Sequence, residues 1–142
     1  MGDYTIRRNV NRGYMKLEVW REAMDLFKLT FHSVNTIEEP DLKLKSQILD
    51  AAQSISSNIA EGYCRRTINE YLQFLNVALG SSGELLTRIM GLAGIGLISG
   101  ESFEKFDKAH YSVENKLTAL IRSLQLKRKR RDWIEEFADV PD

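Results

Sequence analysis

A chain of 142 residues, 43% apolar and 28% charged, is long enough for one domain with its own core. Twenty bases against twenty acids leave no net charge to name a partner, and Cys64, the only cysteine, excludes an intramolecular disulfide and points to a reducing compartment. No apolar run approaches the roughly 20 residues of a membrane span, and "MGDYTIRRNVNRGYMK" lacks a signal-peptide apolar core, so a soluble, cytoplasmic protein with no membrane partner is expected.

Residues 1–15 carry Arg7, Arg8 and Arg12 against Asp3 and read as a basic, flexible or extended arm. From about residue 16 to 38, Leu17, Trp20, Met24, Phe27, Phe31 and Val34 recur at three- and four-residue spacing, which puts them on one face of a first helix. "EEPD" ends that helix, with Pro40 as breaker, and starts a second. The second helix spans about 41–62, with Leu44, Ile48, Ala51, Ala52, Ile55 and Ile59 as its stripe and Gly62 as a natural C′ residue, although the helix has room to end a little later.

"Thr67-Ile-Asn-Glu70" has the spacing of a capping box and opens a third helix over about 68–95. Its apolar set is Ile68, Tyr71, Leu72, Phe74, Leu75, Ala78, Leu79, Leu85, Leu86, Ile89, Met90 and Leu92. These cover about 160° of the helical wheel, against a stripe nearer 100° for a helix facing one core. The excess predicts a second contact surface, most simply another subunit. In "GIGLISGES", Gly94 or Gly96 closes this helix and Ser99 caps a fourth, over about 100–130. Phe103, Phe106, His110, Val113, Leu117, Leu120, Ile121 and Leu124 line it more narrowly. Residues 127–142 form a basic run and an acidic tail, and no period-two strand pattern occurs. The expected fold is all-α: an antiparallel up-and-down four-helix bundle over residues 16–126.

Two stretches interrupt the apolar pattern. In "SISSNIAEG", Ser54, Asn58 and Glu61 follow each other at helical spacing and form a polar seam beside the Ile55–Ile59 stripe. Such a seam either holds a ligand or ties one helix to another. The second reading is preferred, with Arg65 or Arg88 as the cation for Glu61. "Gly80-Ser81-Ser82-Gly83-Glu84" has no preceding strand and no following Lys-Ser/Thr, so it is not a P-loop. The apolar period resumes in phase beyond it, so the helix runs through. Two mid-helix glycines, costing about 2 kcal/mol against alanine, are read as a place for close helix approach. His32 and His110 lie far apart, match no zinc spacing with Cys64, and leave no sequence-evident nucleophile–base pair. No enzyme activity, metal or cofactor is expected.

Lys127, Arg128, Lys129, Arg130 and Arg131, with Arg122, form the sharpest charge feature, and Trp133 lies close enough to stack a base. The alternative is a solvated helix end suited to the dipole, with Asp132, Glu135, Glu136, Asp139 and Asp142 folding back on it. A symmetric oligomer would repeat the basic patch around its axis and favour a polyanion.

"LEVWREAMDLFKLTF", "LKSQILDAAQSISSNIAEG", "INEYLQFLNVALGSSGEL" and "AGIGLIS" resemble, in order and spacing from about Lys16 to Leu124, the four-helix-bundle proteins encoded by intervening sequences in 23S rRNA genes. The resemblance implies an up-down bundle assembling as a ring-like homopentamer. That family is similar in turn to the accessory variability proteins of diversity-generating retroelements, basic pentamers that associate with a reverse transcriptase and its RNA. Ser54, Asn58, Glu61, Gly62, Gly80, Ser81 and Glu84 then belong to a fold fingerprint. Two positions depart from the family pattern: Ser56 and Ser57 stand where a proline is usual, and Asp50 where a base is common. The second departure directs nucleic-acid contacts away from helix two and towards the basic ends of the chain. The expectation is a non-catalytic homopentamer accessory to RNA, with Lys127 to Arg131 as the main phosphate contacts and Arg7, Arg8 and Arg12 assisting. The alternative is a protein-interaction scaffold with no nucleic-acid role.

Overall fold

The computed structural model describes residues 10–130. Arg7, Arg8, Arg131, Trp133 and the acidic tail lie outside them. A short 3-10 segment, Val10–Lys16, precedes four helices: α1 (Glu18–Asn35), α2 (Leu42–Tyr63), α3 (Ile68–Gly94) and α4 (Gly100–Arg130). Among the described residues there is no strand. Each helix packs on the next and α4 returns onto α1, so the four stand at the corners of a bundle, with the most extensive contact between α2 and α3.

Local chemistry sets the helix ends. The Asp41 carboxylate accepts from the Leu44 amide at 2.9 Å, the Thr67 hydroxyl from Glu70 at 3.2 Å and the Ser99 hydroxyl from Ser102 at 3.1 Å. Each satisfies one of the amides that the first helical turn leaves without a partner. α3 stops in a Schellman turn: Leu97 N–H donates to Leu92 C=O at 2.9 Å and Gly96 N–H to Ala93 C=O at 3.1 Å. Gly96 occupies the left-handed region, φ +81°, that this turn requires.

The core contains Leu26, Ile48, Ile55, Leu75, Leu85, Ile89 and Leu117, all closed to solvent. α1 is rotated from the face its large apolar residues define. Val19, Trp20, Ala23, Leu26, Thr30, Ser33 and Val34 are buried, whereas Phe31 stays 42% exposed. Small residues let the neighbouring helices close in, and Thr30 returns its hydroxyl proton to Leu26 C=O at 2.8 Å, so its burial leaves that hydroxyl paired.

The width of the α3 stripe has an explanation inside the subunit. The helix packs on α2 along one edge and on α4 along the other. Of the twelve apolar residues in the stripe, only Met90 remains exposed. The inference from width to a second subunit is therefore withdrawn.

The N-terminal reading is also corrected where it can be. Residues 10–16 are neither extended nor free of the bundle. Gly13 is buried, and the Tyr14 ring packs edge-on against Trp20 at 5.3 Å and Tyr63 at 6.2 Å. Tyr63 in turn meets Tyr71 at 6.1 Å. A side chain at Gly13 would run into the Tyr63 ring. Read for charge alone, the arm concealed this aromatic anchor.

Candidate nucleic-acid interface

Up-and-down connectivity brings to one end of the bundle the starts of α1 and α3 and the finishes of α2 and α4. Three sequence-distant basic segments meet there. The 3-10 segment supplies Arg12 and Lys16, both exposed. The tight connection from α2 to α3 supplies Arg65 and Arg66, also exposed. α4 supplies Lys127, Arg128, Lys129 and Arg130. Leu124 is the last buried residue of α4, and residues 125–130 are all exposed. At about 1.5 Å per residue, the helix therefore runs some ~9 Å past its core contacts. Arg128 pins that extension: its Nη1 donates to Asn69 Oδ1, in the first turn of α3, at 3.1 Å.

Among the described residues, few acids stand at this end. Glu61 is taken by Arg65 at 3.1 Å, and Glu18 faces Lys116 at 3.4 Å, leaving Glu70 exposed in the first turn of α3. Arg65 also lies over the Phe74 ring, 4.7 Å from its centroid, which fixes its orientation. The positive end of the α3 dipole points the same way. At the opposite end the exposed acids Glu38, Glu39, Asp41, Glu101 and Glu104 gather, interrupted by Lys43, Lys45 and Lys105. Over the described residues the charge is thus uneven along the bundle axis.

The structure brings the predicted basic residues Arg12 and Lys127 to Arg130 to the same end, and Arg7, Arg8 and Arg131 lie outside the described residues. Sequence reasoning missed Lys16, Arg65 and Arg66. Their signal was available: in an up-and-down bundle the connection between helices two and three must lie at the same end as both chain termini.

The fingerprint residues form a different feature, a tie between α2 and α3. The Ser54 and Ser81 hydroxyls meet at 2.8 Å. Asn58 Nδ2 donates to Ser54 C=O at 2.7 Å and lies 2.9 Å from its hydroxyl. Arg88 spans the same seam, donating to Gln47 Oε1 at 3.1 Å and Glu84 Oε1 at 3.3 Å. Asp50 joins these groups in lining a shallow polar cleft. Glu61, at the end of the seam, is exposed and pairs with Arg65, one helical turn on.

Gly62 is not a left-handed C′ residue. α2 continues to Tyr63 with ordinary helical geometry, and the glycine is buried because α3 passes too close for a side chain. A Cβ there would stand 2.9 Å from Phe74 Cβ and 3.2 Å from Tyr71 C=O. The expectation for Gly80 and Gly83 reverses in the same way: no atom of another helix lies within 4 Å of where their Cβ would be. The intervening serines turn inward instead. Ser82 is fully buried, and its carbonyl lies 2.7 Å from Nε2 of the buried His110.

Two further features fix the frame around the interface. Glu22 of α1 takes bonds from Lys116 and Ser112 of α4. Burial alone would raise the Glu22 carboxyl, but these bonds outweigh it and hold it below its ordinary value, while Glu22 holds Lys116 above its own. Burial also pushes the Tyr71 phenol above its ordinary value, beside Tyr63.

Among the described residues no helix is long and apolar enough to cross a membrane, and no three His, Cys, Asp or Glu side chains are grouped to hold a metal ion. A family model described as 23S rRNA-intervening sequence protein matches residues 15–119. No curated protein matches the chain.

Proposed function

The chain belongs to the family of 23S rRNA-intervening sequence proteins, and from that premise we propose a non-catalytic, homopentameric accessory protein that works on RNA in the cytoplasm, with a reverse transcriptase as the candidate protein partner. The observation that carries the RNA reading is the convergence of Arg12, Lys16, Arg65, Arg66 and Lys127 to Arg130 at one end of the bundle. Such a surface releases counterions from a phosphate backbone, so affinity depends steeply on salt and weakly on sequence. Val77 and Met90, 50% and 54% exposed on α3, support the assembly reading. The open glycines Gly80 and Gly83 beside them leave room for a second copy. Fluorescence anisotropy on a structured RNA tests the first part: binding at low salt is expected, and it should be largely lost when Lys127 to Arg131 are replaced by alanine. Retained affinity in that variant sinks the assignment. Light scattering tests the second, with about five chains expected and a monomer refuting it.

A second reading, a protein-interaction scaffold, is favoured by one observation at the opposite end. Val34, Ile37, Leu44, Ile48, Leu92 and Leu97 line a small apolar cleft whose rim carries Glu38, Glu39 and Asp41 against one base, Lys45. Its charge suits a basic protein segment with an apolar anchor. Pull-down with and without nuclease separates the readings, because RNA-bridged partners leave after digestion and directly docked ones stay.

A further inference from the structure

We infer that the basic end recognises the backbone of double-helical RNA and not unpaired bases; this rests on the RNA reading above. Recognition of unpaired RNA draws most on aromatic faces on which splayed bases stack. Among the described residues at this end, the aromatic faces are already used. Trp20 and Tyr71 are buried. Tyr14 stands edge-on between Trp20 and Tyr63, Tyr63 packs on Tyr71, and Phe74 is covered by Arg65. Among the described residues the one large exposed aromatic side chain on α4 is Tyr111, nearly midway along the helix and four turns from its basic end.

What the end does present is charge with fixed geometry. Arg128 is held by Asn69 and Arg65 by Glu61 and Phe74, so cations from α4 and from the α2–α3 connection have set positions. Asn69, Thr67 and Gln125, all exposed beside them, suit ribose hydroxyls. A surface of this kind gains most from the polymer with the denser phosphate array, because a duplex releases more counterion per contact than a single strand. Helical RNA is recognised through shape, phosphate and 2′-hydroxyl contacts, which are the contacts available here.

The test uses the full chain, a blunt RNA duplex and an unstructured oligouridine of equal length, with anisotropy measured over a salt series. The duplex is expected to bind about tenfold or more tightly at low salt. Replacing Arg65 and Arg66 together by alanine should weaken duplex binding about tenfold and lower the salt slope by about two, while lysine at both positions restores it. Trp133→Ala should leave both RNAs unaffected. Equal or tighter binding to oligouridine, or a large loss in Trp133→Ala, overturns the duplex assignment and leaves the RNA reading standing. An R65A/R66A variant with unchanged affinity and slope removes the connection from the interface. Binding to neither RNA refutes both the duplex assignment and the RNA reading beneath it.

Discussion

Gly62→Ala and Gly80→Ala make the same chemical change on adjacent helices and are expected to change stability in opposite directions. At Gly62 the added Cβ would lie 2.9 Å from Phe74 Cβ, 3.0 Å from Tyr71 Cδ1 and 3.2 Å from Tyr71 C=O. Carbon contacts settle at about 3.5–4.0 Å, so α3 must withdraw from α2 by several tenths of an ångström. Neither the root of the Phe74 side chain nor a backbone carbonyl yields cheaply. Overpacking of this kind costs about 1–3 kcal/mol, and alanine's helix propensity returns about 1 kcal/mol. A net loss of about 1 kcal/mol is expected. At Gly80 a Cβ meets nothing within 4 Å, so only the propensity gain of about 1 kcal/mol applies. Urea unfolding followed by circular dichroism should separate the variants by about 2 kcal/mol. A Gly62→Ala protein as stable as the parent, with unchanged m-value, would refute the close α2–α3 approach. Gly80→Ala adds a test of assembly: a loss that grows with protein concentration would place that glycine at a contact between copies.

His110→Ala should cost about 2–4 kcal/mol, because it empties a buried site and removes the contact with the Ser82 carbonyl; thermal unfolding measures it. Glu39 sits at φ +49°, a left-handed conformation that a Cβ disfavours, so Glu39→Gly should stabilise by about 1 kcal/mol in the same urea assay. The Glu22 carboxyl is held below its ordinary value of 4.5, so its contribution is present above that pH and lost as pH falls through the lower folded value. Lys116 is held above 10.5, so its contribution is present below that pH and lost as pH rises past it. Stability measured against pH should therefore fall on both limbs, and Glu22→Gln should flatten the acid one.

The four helices and the caps at Thr67 and Ser99 were legible because each depends on a local pattern within three residues. Gly96 was one of two glycines offered for the end of α3, and the cap at Asp41 was not singled out. What was not legible depends on how helices meet. Counting large apolar residues put Phe31 inside α1 and missed Ser33 and Thr30, because close approach selects small side chains as strongly as apolar ones. The same blindness exchanged the glycines: Gly62, next to a polar turn, is the close contact, while Gly80 and Gly83, in mid-helix, face outward. The seam of Ser54 and Asn58 was visible as a stripe, but its partner Ser81 lies on another helix, and sequence spacing carries no information about that pairing.

The basic end follows from connectivity more than from composition. In a bundle of four antiparallel helices, the chain enters and leaves at one end, and the connection between helices two and three returns to that end. Bases in any of these three places add to one field, and those in the other two connections add to the opposite end. Here Arg12 and Lys16, Arg65 and Arg66, and Lys127 to Arg130 occupy the three places that coincide, while Glu38, Glu39 and Asp41 occupy one of the two that do not. Over the described residues, charge is therefore separated along the bundle axis. Side-by-side assembly of parallel copies would reinforce it, because every copy presents its bases in the same direction, whereas antiparallel pairing would cancel it. Parallel rings and phosphate binding are thus linked expectations: an assembly that alternated its subunits would lose the field on which polyanion binding rests.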